Sequence, residues 1–260
     1  KIPAPDAAEN ERALEAALVE LASVGITSVH DAGAGADTIA MYRRHADHGK
    51  LSARIYAMIG GVGADFDLLA AAGPFSAYGK DFLTVRSVKL YADGALGSRG
   101  AALLAPYSDA PHTSGLLFHD PKAMAAQVAK AVAKGYQVNV HAIGDRGNHV
   151  VLDAFAAAKK QFPKADLRHR IEHAQVVTLA DIPRFKSLGL IASMQPTHAT
   201  SDMNMAEDRV GPERIKGAYA WRRFLAQGTR VAAGSDFPVE ASNPFLGWHA
   251  AVTRQSRSAS

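Results

Sequence analysis

The sequence contains no cysteine. Disulfides, thiolate metal ligands and cysteine nucleophiles are thereby excluded, so a bound metal must rest on histidine, carboxylate or modified lysine. Aromatic residues make up only 7% of the chain. No apolar run is long enough to span a bilayer, and no signal-peptide pattern is visible. Neither the Gly-rich dinucleotide fingerprint after the first expected strand nor the phosphate-binding P-loop pattern occurs. The charge excess is small, +4 from 29 basic and 25 acidic residues, and no basic block is interleaved with aromatics. Nucleic acid and membrane are therefore not expected as partners. The expected setting is the cytoplasm, with a small molecule as substrate and a homo-oligomer left open. Lys1 rather than Met opens the chain, so the native start is expected further upstream.

What is present suits one large core. Hydrophobic residues are 48% and charged residues 21% of 260 residues, and no linker rich in Pro, Gly and Ser divides them. A single domain over residues 1–260 is expected. A unit recurs along it: amphipathic helix, glycine-containing turn, short β-branched strand ending in polar residues. Helices are expected at 8–23, 36–48, 65–72, 121–134, 145–160, 178–188, 212–226 and from about 244. Strands are expected at 26–29, 54–59, 87–91, 136–140, 168–171, 190–194 and 230–233. Residues 93–119 and 199–210 read as long loops, a length that is commonly functional.

Such alternation implies a parallel sheet covered by helices, open or closed into a TIM-like (β/α) barrel. The polar residues favour the barrel. His30, Asp93, His141, His173, His198 and Asp236 all fall at or just beyond the carboxyl ends of different expected strands. A closed barrel gathers those ends into one ring.

His141 and His173 end consecutive strands, and imidazole suits zinc. Asp236 follows Gly234-Ser235 at the end of the last strand, where a carboxylate can bind metal and take a proton from water. Each alone could equally be a hydrogen-bonded histidine or a helix-capping aspartate. Lys89 sits inside a strand whose two faces are both covered, so its ammonium needs a carboxylate partner or a modification. Pairing with Asp93 or Asp236 would serve. Carboxylation would instead make it an anion able to bridge two metals. Strand alternation sets His169, Ile171 and His173 on one side and Arg168, Arg170 and Glu172 on the other. An inward His173 then implies a Glu172 facing the helices and paired with an arginine.

Six blocks carry a resemblance: Gly25-Ile26-Thr27-Ser28-Val29-His30-Asp31-Ala32-Gly33, the stretch Val88-Lys89-Leu90-Tyr91-Ala92-Asp93-Gly94-Ala95-Leu96-Gly97-Ser98-Arg99, and Asn139-Val140-His141-Ala142-Ile143-Gly144-Asp145. Arg170-Ile171-Glu172-His173-Ala174-Gln175, Met194-Gln195-Pro196-Thr197-His198 and Ala233-Gly234-Ser235-Asp236-Phe237-Pro238 complete them. The chain resembles the amidohydrolase superfamily, in the branch called amidohydrolase family 3 or YtcJ-like metal-dependent hydrolases. The resemblance implies an eight-stranded barrel holding one or two divalent ions, zinc foremost. Lys89 matches the family's strand-four lysine, expected to be carboxylated, and His141 and His173 its metal histidines. Asp236 matches the strand-eight aspartate, expected to bind metal and act as general base. Asp93, Arg99, Asp145 and His198 match segments lining the substrate pocket.

The family's His-x-His pair on strand one has no counterpart here, and neither does its accessory β domain. The barrel is thus expected to be incomplete at both ends and inactive as this segment alone. The implied activity is metal-dependent hydrolysis of an amide or cyclic amide C–N bond. Deamination or ester hydrolysis at the same site, or an inactive barrel serving as a binding module, are the alternatives.

Overall fold

The computed structural model describes residues 5–256. Asp6 caps α1 (Ala7–Ser23) reciprocally: its carboxylate accepts from the Glu9 N–H at 2.7 Å, and Glu9 accepts from the Asp6 N–H at 2.8 Å. Leu14, Leu18 and Leu21 form the buried stripe of α1. Then follow β1 (Ser28–Ala34), α2 (Ala36–Asp47), β2 (Arg54–Gly60), α3 (Ala64–Leu69), a short β3 (Phe75–Ala77), a turn α4 (Tyr78–Asp81) and β4 (Leu83–Tyr91). A long irregular connection leads to α5 (Pro121–Ala133), β5 (Gln137–Ala142), α6 (Asp145–Gln161), β6 (Arg170–His173) and α7 (Ile182–Leu188). Beyond these lie β7 (Ile191–Met194), α8 (Pro196–Ser201), α9 (Ala206–Arg214), α10 (Trp221–Ala226), β8 (Arg230–Ala233) and α11 (Pro244–Thr253). Among the described residues, no helix is long and apolar enough to cross a membrane.

Seven strands run parallel in the order β1-β2-β4-β5-β6-β7-β8, while β3 pairs antiparallel with β4. Four strand spacings separate β1 from β6, roughly 19 Å in a flat sheet. Yet Arg170 on β6 donates to His30 Nδ1 on β1 at 2.6 Å. The sheet must curl strongly to allow this, and the result is a half-barrel with helices outside. Its outer strands, β1 and β8, are the most exposed, as unpaired edges are.

The two faces of the sheet differ in chemistry. On the convex side Val88, Leu90, Val138, Val140 and Ile171 pack with Val151, Phe155 and Phe185 of the helices. Each such side chain contributes about 1.5–3 kcal/mol on burial. On the concave side Lys89, Asn139 and Arg170 share one rung of the sheet. Apolar residues thus carry stability on one face and leave the other free for polar groups.

Local chemistry moves several boundaries away from the pattern-based ones. β1 extends to Ala34, so His30 and Asp31 lie inside the strand rather than at its tip. β4 begins four residues before Ser87, where pairing with β2 starts at Leu83. The stretch 199–210, expected as loop, holds the end of α8 and the start of α9. The single helix expected at 212–226 is broken: Gly211 at φ 77° and Pro212 bend α9, and a 3-10 turn at Ile215–Gly217 precedes α10. The helix expected from 178 starts at Ile182, after a turn in which Thr178 Oγ1 accepts from the Asp181 N–H.

The connection after β4 is ordered by a small core of its own. Leu96, Leu103 and Tyr107 pack with Ile143, Val210 and Tyr219. Its anchor is Asp93, whose fully buried carboxylate accepts from the N–H groups of Ala102 (2.9 Å), Ile143 (2.9 Å) and Gly144 (2.7 Å). Two glycines make room for this. A Cβ on Gly144 would strike the Ala102 carbonyl, and one on Gly147 would lie 2.6 Å from Asp93 Oδ2.

Two outcomes follow for stability. Asp93→Asn places an NH2 where an N–H already points, so urea unfolding should show a loss of about 1–3 kcal/mol. The second concerns His169, which stacks on Phe155 and accepts from the Val138 N–H at 3.0 Å. Burial depresses its pKa from 6.5 to about 4. A folded-state value below the unfolded one means stability present above pH 6.5 and lost as pH falls through 4. His169→Gln, which keeps an acceptor, should flatten the decline in Tm over that window relative to wild type.

Candidate metal centre

The carboxyl ends of β4 to β8 open on one side of the half-barrel, and the polar residues gather there. The placement of His173 depends on the backbone. By alternation on β6 it would join Ile171 against the helices. His173, however, adopts φ 74° and Ala174 φ 43°, a left-handed turn uncommon for such residues. The turn brings the imidazole within 4.5 Å of the His141 ring and 5.9 Å of the His198 ring, centroid to centroid.

Glu172 therefore shares the site side with His173, which corrects the expectation that one of the two faces the helices. It does pair with an arginine: Arg170 Nε and Nη2 donate to Glu172 Oε1 at 2.7 and 2.6 Å, both residues being buried. His169, by contrast, faces the helices.

Gln195, which precedes α8, fixes the tautomer of His173. The Nδ1–H donates to Gln195 Oε1 at 2.8 Å, leaving Nε2 free. Pro196 then starts α8 and sets His198 one turn in. His198 Nε2 is buried without a hydrogen-bond partner and lies 3.9 Å from Asp236 Oδ2, just beyond β8. Ligand atoms of His173, His198 and Asp236 all fall within 4.8 Å of one another.

The electrostatics agree with this geometry. Burial, followed by the Lys89 charge, lowers the His141 pKa to about 4. Burial and then His141 hold His173 well below its usual range. Both rings are therefore neutral at pH 7 and keep a lone pair for a metal. Burial raises the carboxyl of Asp236. Two imidazoles and a carboxylate with an orphaned buried Nε2 at their centre fit a divalent cation.

Lys89 is buried, with its ammonium 4.4 Å from the Tyr91 ring centroid. Among the described residues no carboxylate lies within ion-pair distance of it. Burial lowers its pKa against the opposing charges of Glu172 and Asp236. Asp93 is turned to backbone N–H groups instead, although its Oδ1 lies 3.6 Å from His141 Nε2.

The remaining expected pocket residues are engaged elsewhere. Arg99 binds Asp109 through Nε at 3.2 Å and Nη2 at 2.9 Å, and Arg209 joins the same carboxylate. Asp145 opens α6 and accepts from the Leu104 N–H at 2.8 Å. Like Asp93, it fastens the long connection. The residues that alternation and spacing did not single out for the site are Gln195, Tyr91 and the Arg170–Glu172 pair. For Gln195 the readable cue is a polar residue between a strand and a Pro-initiated helix.

Comparison with known proteins completes the picture. The family described as the amidohydrolase family matches residues 1–260. A putative amidohydrolase, YtcJ of Bacillus subtilis, is 34% identical over 253 residues, covering 95% of this chain and 46% of that protein. An N-substituted formamide deformylase of Arthrobacter pascens is 25% identical, covering 90% and 44%. Among solved structures, a metal-dependent hydrolase from Pyrococcus horikoshii superposes with a TM-score of 0.84 at 31% identity, covering 95% of this chain and 49% of that one. The chain thus spans about half the length of these relatives. Its half-barrel is part of the TIM-barrel type of metal-dependent hydrolase, and the chain belongs to the amidohydrolase family.

Proposed function

We propose that the intact protein hydrolyses a non-peptide C–N bond, an amide or cyclic amide, in a small molecule, using zinc as the divalent ion. The observation that carries this reading is the convergence of His173, His198 and Asp236 beyond the ends of three adjacent strands. When bound, the ion would supply a Lewis acid that lowers the pKa of water and polarises the substrate carbonyl.

The residues of the chain do the rest. His173, with Nδ1 tied to Gln195, presents Nε2 in a fixed direction. Asp236, beyond the end of β8 and 3.9 Å from His198 Nε2, accepts a proton from the attacking water at a carboxylate oxygen. Water oxygen bonds to the carbonyl carbon, and Asp236 returns the proton to the leaving nitrogen as the C–N bond breaks. Carboxylate and amine are the products. His141 and a carboxylated Lys89 are the residues through which a second ion would be held. Burial of the Lys89 amine supports this, because it favours the neutral form that reacts with carbon dioxide.

N-substituted formamides are the first compounds to try, given the deformylase among the relatives, followed by N-acyl and cyclic amides. Hydrolysis should vanish with chelator and return with zinc. Asp236→Asn should lower kcat by about 10²–10⁴-fold, the usual weight of a general base. Activity that persists after full metal removal would contradict the proposal. His198→Ala should weaken zinc binding by roughly tenfold or more, read by competition with a chromophoric chelator, with the far-UV spectrum unchanged.

A further inference from the structure

Tyr91, the last residue of β4, stands apart from the other tyrosines. The hydroxyls of Tyr42, Tyr56, Tyr78, Tyr107 and Tyr219 donate to Asp31, Gln137, Asp47, the Ala101 carbonyl and Asp202 respectively. Tyr136 packs edge-on to Phe66, away from the site. The Tyr91 hydroxyl has no partner among the described residues, and the residue is 42% exposed.

Its position is nonetheless well defined. Tyr91 shares a rung with His141 and so projects from the same face of the sheet. Its ring lies 5.6 Å from the His141 ring and 4.4 Å from Lys89 Nζ, centroid distances that hold it from one side. The hydroxyl reaches across to Gly33 near the end of β1, where even a Cβ would meet it only at 3.7 Å. A phenol placed by its ring beside His141 and Lys89, with an O–H that no described residue takes up, is available to donate a hydrogen bond to a bound molecule.

We propose that Tyr91 is a substrate-contacting residue whose hydroxyl donates to the carbonyl oxygen of the scissile amide, and after hydrolysis to an oxygen of the carboxylate product. The inference rests on the hydrolase reading. A donor aimed at an oxygen that gains charge during hydrolysis stabilises the transition state more than the ground state.

Tyr91→Phe keeps the ring against His141 and Lys89 and removes only the hydroxyl. In the intact cobalt-loaded protein, formate serves as the product-like probe, followed by the visible cobalt spectrum. The variant should bind cobalt with the same stoichiometry and melt at the same temperature. Its Kd for formate should rise roughly tenfold, the weight of one hydrogen bond to a charged acceptor. If a hydrolysed amide has been found, kcat should fall with KM little changed. Equal formate affinity in the two proteins, or no formate binding by wild type, would overturn the role of Tyr91 while leaving the hydrolase reading intact. A wild type that takes up no cobalt removes the hydrolase reading and this inference together.

Discussion

The arrangement of the site depends on a buried carboxylate, that of Asp93, whose oxygens are taken up by backbone N–H groups. Asp93, two residues beyond β4, gathers backbone N–H groups from the long connection and from the turn after β5. Three such bonds offset much of the cost of burying a charge, yet burial still lifts its pKa to about 7. Through them, the end of the Lys89 strand, the start of α6 and the connection above them are held as one unit. His141 sits beside that unit, 3.6 Å from Asp93 Oδ1. Asp145 repeats the device one turn further on, holding Leu104. Two acidic residues that resemble pocket groups thus serve as fasteners, and the pocket is left to the residues they position.

The two-faced sheet explains why this is possible. The helices cover a convex face of valine, leucine and isoleucine, which supplies the hydrophobic stabilisation. The concave face holds Lys89, Asn139, Arg170 and Glu172, each buried. Arg170 satisfies two of its neighbours at once, donating to Glu172 and, across the curl, to His30. Asn139 keeps both side-chain polar atoms without protein partners. A concave face so rich in polar groups is suited to water and ions rather than to close packing of side chains.

Much of this was legible in the sequence, because strand and helix periods are local properties. The seven parallel strands, the capped helix after Asp120 and the helix opening at Asp145 follow directly from hydrophobic alternation and capping residues. His141, His173 and Asp236 stand out in the sequence as polar residues at strand ends, and Lys89 as a charge inside a strand. What escaped was set by single backbone torsions and by distant partners. The positive φ at His173 breaks the period-two rule, so His173 joins Glu172 on the site side although alternation separates the two. The break at Gly211-Pro212 was hidden inside a helical pattern. His198 carries a ligand geometry only because α8 turns it toward β8, and no spacing along the chain encodes that contact.

The central claim is that imidazoles from β6 and α8, with the carboxylate beyond β8, form one cation site. X-ray absorption at the zinc edge of the intact, zinc-loaded protein tests it most directly. The account predicts a shell of nitrogen and oxygen donors with imidazole scattering from two or more histidines, reduced by one imidazole in His173→Ala. Zinc bound without histidine scattering, or a spectrum unaltered by that substitution, would contradict it.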